Sequence, residues 1–572
     1  MAAVSVASAE LPPPPQDGET LSNVPQTLSG EDCKKQRIQR PKSKNAEKCT
    51  VKCVNTCIRS GDGEGPINIR RFQRIAWQIE GIQVTVSCFF VTCGKTRSSS
   101  NNPHHTTFFI LSENNNQMGE AAEQARGFHV TTTRKQVITA ALPLQDHWLP
   151  LSNLDLLLPP LNVHVCFCYK KPLHFTNTVA YETLKTALAE TLVSYYAFAG
   201  ELVTNPTGEP EILCNNRGVD FVEAGADVEL RELNLYDPDE SIAKLVPIKK
   251  HGVIAIQVTQ LKCGSIVVGC TFDHRVADAY SMNMFLLSWA EISRSDVPIS
   301  CVPSFRRSLL NPRRPLVMDP SIDQIYMPVT SLPPPQETTN PENLLASRIY
   351  YIKANALQEL QTLASSSKNG KRTKLESFSA FLWKLVAEHA AKDPVPIKTS
   401  KLGIVVDGRR RLMEKENNTY FGNVLSVPFG GQRIDDLISK PLSWVTEEVH
   451  RFLKKSVTKE HFLNLIDWVE TCRPTPAVSR IYSVGSDDGP AFVVSSGRSF
   501  PVNQVDFGWG SPVFGSYHFP WGGSAGYVMP MPSSVDDRDW MVYLHLTKGQ
   551  LRFIEEEASH VLKPIDNDYL KI

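Results

Sequence analysis

The sequence predicts an α/β protein made of two domains of similar size, preceded by a largely disordered N-terminal extension. Three observations lead to this prediction: a length of 572 residues, strand and helix patterns on both sides of a Pro-rich stretch, and a polar first segment. Domains usually span about 100–200 residues, so the chain has room for two or three. We predict the extension over 1–127, the domains over 128–329 and 344–572, and the linker over 330–343.

Residues 1–127 differ in composition from the rest of the chain. They contain a run of four prolines, a basic stretch over 34–44 and a polar tract over 98–102. Such a segment buries too little apolar surface to offset the entropy of ordering, so we expect most of it to be disordered. The basic stretch is typical of a solvated tail, and a nuclear-targeting or nucleic-acid-binding segment is the alternative. The apolar residues over 67–93 could instead pair as strands, and the whole segment could lie outside the natural protein.

From Phe128 onward, strand-like and helix-like patterns alternate. Runs rich in β-branched and aromatic residues predict strands, and apolar residues three to four positions apart predict amphipathic helices. The linker has four prolines and no periodicity. In the first domain the predicted strands cover 163–169, 253–260 and 265–272, and the predicted helices cover 181–197 and 282–292. In the second domain the predicted strand covers 349–352, and the predicted helices cover 357–364 and 375–391.

The overall charge gives no reason to expect a nucleic-acid partner. Lys plus Arg and Asp plus Glu are each 60, whereas non-specific nucleic-acid binding needs clustered cations. No apolar run reaches the roughly 18 residues of a membrane span, and the N-terminus lacks the basic and apolar regions of a secretory signal. We therefore expect a soluble, cytoplasmic protein without a membrane span, and we expect it to be a monomer.

The 13 cysteines are predicted to be reduced thiols, because their number is odd and they are scattered along a long chain. Cys49, Cys53 and Cys57 form one cluster, with three residues between neighbours. A zinc site would need a second pair of Cys or His ligands at a typical distance downstream, and none follows. We therefore predict no metal.

The strongest candidate for a reactive group is His274, which directly follows a predicted buried strand and precedes a predicted helix. Histidine titrates near neutral pH and can take a proton from a reacting group. Asp278, four residues later, could orient the ring or brace the loop. The same spacing recurs at His389 and Asp393, so the spacing alone proves nothing. His389 lies near the end of a predicted helix beside Lys392, as is typical of a structural C-terminal turn.

A second informative stretch is 506–510, with the sequence Asp-Phe-Gly-Trp-Gly. Its two glycines permit positive φ, and Trp509 can anchor the loop by packing. On its own, this pattern is typical of a structural turn.

Together, the His-x3-Asp stretch at 274–278 and the loop at 506–510 resemble the two hallmark motifs of the BAHD family of plant acyl-CoA-dependent acyltransferases. The resemblance covers residue 128 to the C-terminus, and motif order and spacing agree throughout. It implies two chloramphenicol-acetyltransferase-like domains with a channel between them and His274 at its middle. Further segments similar to family segments are 151–155, 195–200, 214–219, 407–411 and 420–423.

The resemblance also implies a mechanism. His274 would be the general base that takes a proton from an acceptor hydroxyl or amine, which then attacks the thioester carbonyl of acyl-CoA. Acyl-CoA is the implied co-substrate, and no bound cofactor is implied. Asp278 would be a structural brace that pairs with an Arg, and Arg409 and Arg411 are the candidates. The loop residues implied to be structural are Asp506, Gly508 and Gly510.

The acceptor is predicted to be a neutral alcohol. Relatives that acylate shikimate or quinate carry an Arg seven residues before the Asp of the 506–510 loop, where this chain has Ser499, with Arg498 one position away. A buried carboxylate without an Arg partner is costly. The segment 274–285 is similar to relatives that acylate phenylpropenyl alcohols such as coniferyl alcohol.

Two other classes of protein are the alternatives. A catalytically silent relative could act as a binding or interaction protein, although the intact His274 argues against this interpretation. A Ser-His-Asp hydrolase would need a G-x-S-x-G nucleophile elbow on a strand-to-helix turn. Ser281 and Ser496 lack the flanking glycines, whereas residues 522–526 have the spacing, so this alternative is left to the requirement for an acceptor alcohol, which a hydrolase does not have.

Overall fold

The structure is a computed structural model, which describes residues 127–172, 177–294, 299–332, 340–366, 370–394, 397–413, 419–483, 489–523 and 525–572. The predictions for residues 1–126 fall outside the described residues, including those on the cysteine cluster and on the apolar segment 67–93. The middle of the predicted linker also falls outside them.

The first predicted domain contains the following elements. Its strands are β1 (Val130–Ile138), β2 (His147–Pro150), β3 (Asn162–Tyr169), β4 (Glu201–Thr204), β5 (Pro210–Cys214), β6 (Val219–Ala226), β7 (Ile254–Leu261), β8 (Ile266–Asp273) and β9 (Tyr326–Pro328). Its helices are α1 (Asn177–Ser194), α2 (Ile242–Leu245), α3 (Ala279–Ser293) and α4 (Pro320–Asp323).

The second predicted domain also mixes strands and helices. Its strands are β10 (Leu345–Ile352), β11 (Thr399–Ile404), β12 (Val406–Asp407), β13 (Leu425–Ser426), β14 (Phe429–Arg433), β15 (Ala477–Ser479), β16 (Ala491–Val494), β17 (Phe514–His518), β18 (Gly526–Pro532), β19 (Trp540–Thr547) and β20 (Lys563–Pro564). Its helices are α5 (Ala354–Ala364), α6 (Lys374–Ala390), α7 (Arg409–Leu412), α8 (Ile434–Ser439), α9 (Leu442–Ser456), α10 (Lys459–Cys472), α11 (Lys548–Ala558) and α12 (Asn567–Leu570).

The first large sheet has the strand order β1-β6-β7-β8-β3-β17. Every residue of β8 is buried, as expected for a central strand that is covered on both faces. Helices α1 and α3 pack together, and the Trp289 indole donates a hydrogen bond to the carbonyl of Leu184 (3.0 Å). Strand β17 comes from the second half of the chain and pairs with β3, with His518 opposite His164.

The second large sheet has the strand order β14-β11-β16-β18-β19-β10-β20. Helix α6 packs against α5, α8, α9 and α11, and its buried residues include Trp383 and Leu382. These residues belong to a second hydrophobic core. The two large sheets therefore give each predicted domain its own layers, and β17 is the strand that crosses between them.

The predicted elements are present, and most of their ends shift by a few residues. Helix α3 begins at Ala279, three residues before the predicted start, because Asp278 caps it and accepts a hydrogen bond from the backbone N–H of Ser281. The prediction was wrong for the end of the helix over 181–197, because α1 ends at Ser194 and a 3-10 turn follows. The buried Tyr195 hydroxyl hydrogen-bonds to Ser288, which anchors the chain where it leaves the helix.

Buried neutral histidines make the fold sensitive to acid. Burial lowers the pKa of His164 to about 4 and the pKa of His461 to about 4. The pKa of histidine in an unfolded chain is about 6.5, so below that pH the unfolded chain binds more protons than the folded one. The free energy of unfolding therefore falls as the pH falls from about 6.5 towards about 4.

We expect each of these two histidines to lower the free energy of unfolding by about 2 kcal/mol between about pH 7 and about pH 5. Urea unfolding at both pH values measures this loss. His461→Gln replaces a titrating group with a neutral one that can still hydrogen-bond to Ser426, the partner of His461 at 2.8 Å. The variant should lose less stability than the wild type on acidification, and an equal loss would contradict the prediction.

Candidate active site

The site is built around the turn between β8 and α3. His274 is the first residue after β8, and its backbone N–H donates to the carbonyl of Leu161 at 2.9 Å. Asp278 caps α3 and accepts from the backbone N–H of Ser281 at 2.9 Å. A buried strand on one side and a capped helix on the other fix the turn, so His274 stands on a rigid support.

A cavity of about 770 Å³ contains His274 in its lining. Residues of both predicted domains form its walls, and many of them are aliphatic or aromatic. Aliphatic lining residues are Leu154, Leu157, Leu158, Leu161 and Val163, and aromatic ones are Phe272, Tyr482, Tyr517, Phe519, Trp521 and Tyr527. These residues make much of the cavity lining apolar, as is common for small-molecule sites.

The imidazole of His274 has aromatic neighbours. The ring of Phe519 meets it edge-on at 6.3 Å between centroids, and the ring of Phe272 lies at 6.4 Å. Its Nδ1 atom is buried and has no hydrogen-bond partner within the described ranges. No described carboxylate orients this ring, in contrast to a Ser-His-Asp triad.

The carboxylate of Asp278 forms an ion pair with Arg409. The guanidinium donates from Nη1 to Asp278 Oδ2 at 2.7 Å and from Nη2 to Oδ1 at 3.0 Å. Both side chains are fully enclosed, with 1 % and 0 % exposure. Burial opposes the charge on Arg409, but Asp278 and Asp407 outweigh it, so the pKa of Arg409 is raised. The ion pair links the His-x3-Asp turn to the second domain.

Arg411, the other candidate partner, points elsewhere. Its guanidinium donates to the carbonyl of Val457 at 2.7 Å and to the carbonyl of Asp407 at 2.8 Å. Among the described contacts, it therefore does not reach Asp278, and the structure brings Asp278 together with Arg409.

The loop at 506–510 is held by its own aspartate. Asp506 Oδ1 accepts hydrogen bonds from the backbone N–H groups of Gly508 (2.8 Å), Trp509 (3.0 Å) and Gly510 (2.9 Å). Gly508 and Gly510 have φ values of 96° and 92°, which favour glycine. Arg294, at the end of α3, donates to the carbonyl of Asp506 at 2.9 Å. None of these loop residues lines the cavity with His274.

The cavity lining also includes polar residues at the start of α6. Thr373 caps α6 in a reciprocal capping box with Glu376, and Glu376 also contacts His450 at 2.8 Å. Burial raises the pKa of Glu376, but hydrogen bonds from Thr373 and His450 outweigh burial and lower it. Three exposed basic side chains line the same cavity without an ion-pair partner among the described residues: Arg410, Lys454 and Arg498.

Sequence reasoning did not identify Asn423 and Asp155 as site residues. Both are fully buried, and the Asn423 amide donates to the main-chain carbonyl of His274 at 2.9 Å. Asp155 lies in the segment 151–155 and Asn423 in the segment 420–423, both similar to family segments. This similarity is the sequence signal that could have pointed to them. His389 lies elsewhere, half-buried and edge-on to Phe553, and it does not line the cavity.

Among the described residues, no helix combines the length and the apolar composition that a membrane span needs. The described His, Cys, Asp and Glu side chains form no group of three or more that could hold a metal ion.

Solved structures identify the fold class. Vinorine synthase superposes with a TM-score of 0.59 at 19 % identity, covering 76 % of this chain and 99 % of that one. TRI101 of F. graminearum, solved with coenzyme A and T-2 mycotoxin, superposes with a TM-score of 0.60 at 13 % identity, covering 73 % and 99 %. These likenesses confirm the predicted α/β fold of two chloramphenicol-acetyltransferase-like domains.

The chain therefore has the two-domain fold of these structures, with His274 in the lining of its cavity. Residues 128–561 match the model of the Transferase family, and the chain belongs to this family, the BAHD acyltransferases. The prediction of the family and of an acyl-CoA-dependent acyltransferase is thereby confirmed.

Plant relatives support the same assignment. Shikimate O-hydroxycinnamoyltransferase of Nicotiana tabacum is 27 % identical over 437 residues, covering 73 % of this chain and 96 % of the relative. Omega-hydroxypalmitate O-feruloyl transferase of Arabidopsis thaliana is 28 % identical, covering 64 % and 78 %. Benzyl alcohol O-benzoyltransferase of Petunia hybrida is 27 % identical, covering 68 % and 83 %. The names of these relatives span different acyl groups and different acceptors.

Proposed function

We propose that the protein transfers an acyl group from acyl-CoA to the hydroxyl of a neutral phenylpropanoid alcohol, with His274 as the general base. The observation that carries this proposal is the His274 imidazole in the lining of a channel between two domains. Because Nδ1 is buried, Nε2 is the nitrogen that a substrate can reach.

The proposed reaction is a direct transfer. His274 Nε2 takes the proton of the acceptor hydroxyl, and the acceptor oxygen attacks the thioester carbonyl carbon. The resulting tetrahedral oxyanion collapses, the C–S bond breaks, and the imidazolium returns its proton to the departing thiolate. Positioned general bases contribute about 10²–10⁴-fold to the rate.

Charge distribution along the cavity suggests how the substrates lie. Coenzyme A carries phosphates, and the exposed basic residues Arg410 on α7 and Lys454 on α9 line the cavity. Cationic side chains without carboxylate partners bind phosphate favourably. We therefore assign the nucleotide end of acyl-CoA to the part of the cavity that these two residues line.

The acceptor side supports a neutral alcohol. The guanidinium of Arg275, next to His274, already pairs with Asp273. It donates from Nε to Oδ1 at 2.9 Å and from Nη2 to Oδ2 at 2.8 Å. Ser499 lines the cavity at the position where shikimate-acylating relatives carry Arg. At position 499 an acceptor carboxylate would therefore lose water without gaining a guanidinium partner.

Initial rates with matched acceptors test this substrate class. We expect kcat/KM for coniferyl alcohol to exceed kcat/KM for shikimate at least about tenfold, the discrimination expected when a charged group lacks its partner. Ser499→Arg is the matched variant and should raise the relative rate with shikimate. A higher rate with shikimate in the wild type would contradict the neutral-alcohol assignment.

A further inference from the structure

Two buried side chains from different domains meet beneath the main chain of His274. The Asn423 amide donates from Nδ2 to the His274 carbonyl at 2.9 Å and to Asp155 Oδ1 at 2.9 Å. The backbone N–H of Asn423 donates to the same Asp155 oxygen at 2.7 Å. Both side chains have 0 % exposure, and neither lines the cavity.

Asp155 is itself fixed. Its other oxygen, Oδ2, accepts from the backbone N–H of Ser152 at 2.8 Å and from the Ser152 hydroxyl at 2.7 Å. A carboxylate that accepts four hydrogen bonds has little freedom to turn. It therefore presents Oδ1 to Asn423 in one direction.

The orientation of the Asn423 amide follows from its partners. A carboxylate and a carbonyl both accept, so the NH2 group of Asn423 must face them. Its oxygen is left buried with no partner among the described residues. An apolar residue here would avoid that unsatisfied oxygen, but it could not bridge Asp155 and His274.

The residue before Asn423 ties this contact to the Asp278–Arg409 ion pair. Gly422 has a φ of 139°, and an added Cβ would meet Arg307 Nη1 at 2.9 Å. Its carbonyl accepts from Arg409 Nη2 at 2.7 Å. The hydrogen bond from Arg409 to the Gly422 carbonyl therefore fixes the backbone from which the Asn423 side chain extends.

We propose that Asn423 and Asp155 are positioning residues, which hold the main chain of His274 so that its imidazole stays directed into the channel. This inference rests on the proposed role of His274 as the general base. No described carboxylate orients its Nδ1, so the direction of the ring depends on the main chain below it and on packing against Phe519. A misplacement of about 1 Å can cost about 10²-fold in rate.

The test compares Asn423→Ala and Asn423→Ser with wild type. Both variants remove the amide bond to His274, and both keep the backbone N–H that donates to Asp155. We expect kcat to fall by about 10- to 100-fold in each variant, after correction for the folded fraction measured by circular dichroism. KM for acyl-CoA and for the alcohol should stay within about twofold, because the substrate-facing surface is unchanged. If Asn423→Ala fails to fold, Asn423→Ser alone decides the test.

The matched control is Asn464→Ala. Asn464 is also buried, with 7 % exposure, and its amide donates to Asp319 at 2.8 Å, away from the cavity. A merely structural role predicts the same result for both positions: lower stability with wild-type kcat per folded molecule. Such a result for Asn423→Ser would overturn the positioning role, as would a rise in KM without loss of kcat.

His274→Ala separates this inference from the function on which it rests. If His274→Ala keeps wild-type turnover, the proposed function fails, and the positioning role fails with it. If His274→Ala is inactive and Asn423→Ser is fully active, only the positioning role is overturned.

Discussion

Replacing His274 with Ala is expected to lower the rate of acyl transfer by about 10²–10⁴-fold and to leave the protein folded. The variant removes the imidazole that directly follows β8, and with it the group proposed to accept the proton of the acceptor. Its Nδ1 makes no hydrogen bond within the described ranges, so the folded state loses no hydrogen bond from that atom. Single-turnover rates with acyl-CoA and alcohol measure the effect.

The control for this variant is His389→Ala, the second member of a His-x3-Asp spacing in the chain. His389 is half-buried and lies outside the cavity lining, so its variant should turn over like wild type. Retention of more than about a tenth of wild-type turnover by His274→Ala would contradict the assignment, given the size expected of a general base.

Replacing Asp278 with Asn is expected to lower the free energy of unfolding by about 3–5 kcal/mol. The substitution removes the carboxylate that takes two hydrogen bonds from the buried Arg409, and the remaining described counter-charge is Asp407, at 3.3 Å and 44 % exposed. Asn is also a good helix N-cap, so the substitution preserves the start of α3 and isolates the loss of charge. We expect the rate of transfer to fall as well, since the pair links the turn at His274 to the second domain. Urea unfolding and steady-state rates measure the two effects.

An exposed ion pair provides the control for Asp278→Asn. Asp435 lies 3.1 Å from Arg433, and both side chains are largely exposed, at 82 % and 71 %. Asp435→Asn should unfold at the same urea concentration as wild type, because exposed pairs contribute little. If Asp278→Asn keeps wild-type stability but loses activity, a direct role of Asp278 in orienting His274 replaces the role of a brace.

The position of His274 was predictable because its signals are local. A buried strand, a polar turn and an amphipathic helix follow one another within a short segment, and the structure places His274 at that junction. The turn at 506–510 was predictable for the same reason, because its signals are local. Its two glycines have positive φ, and Asp506 accepts the backbone N–H groups of its own loop.

The choice between Arg409 and Arg411 depends on a short helix that the sequence did not reveal. Both residues lie in α7, where successive side chains are rotated by about 100°, so residues two apart point to nearly opposite sides. Arg409 is directed to Asp278 and Arg411 to the carbonyl of Val457. An extended chain would have placed both on one side.

The features that the sequence did not predict depend on pairing between segments that are distant in the chain. Strand β17 joins β3 across the domain bounds, with Phe514 opposite Cys168, and no local pattern specifies that partner. Its fit depends on Gly515, where a Cβ would meet the Phe167 ring at 2.8 Å. The contact of Asn423 with Asp155 and His274 has the same character, because three distant segments meet in one buried cluster.

The most direct test of the account measures thioester cleavage and ester formation in the same reaction. Purified protein is incubated with hydroxycinnamoyl-CoA, with and without coniferyl alcohol, while free thiol and ester are quantified. We predict that thiol release needs the alcohol and that thiol and ester appear in a one-to-one ratio. Thiol release at the same rate without the alcohol, and with no ester formed, would show a hydrolase and contradict direct transfer to the alcohol.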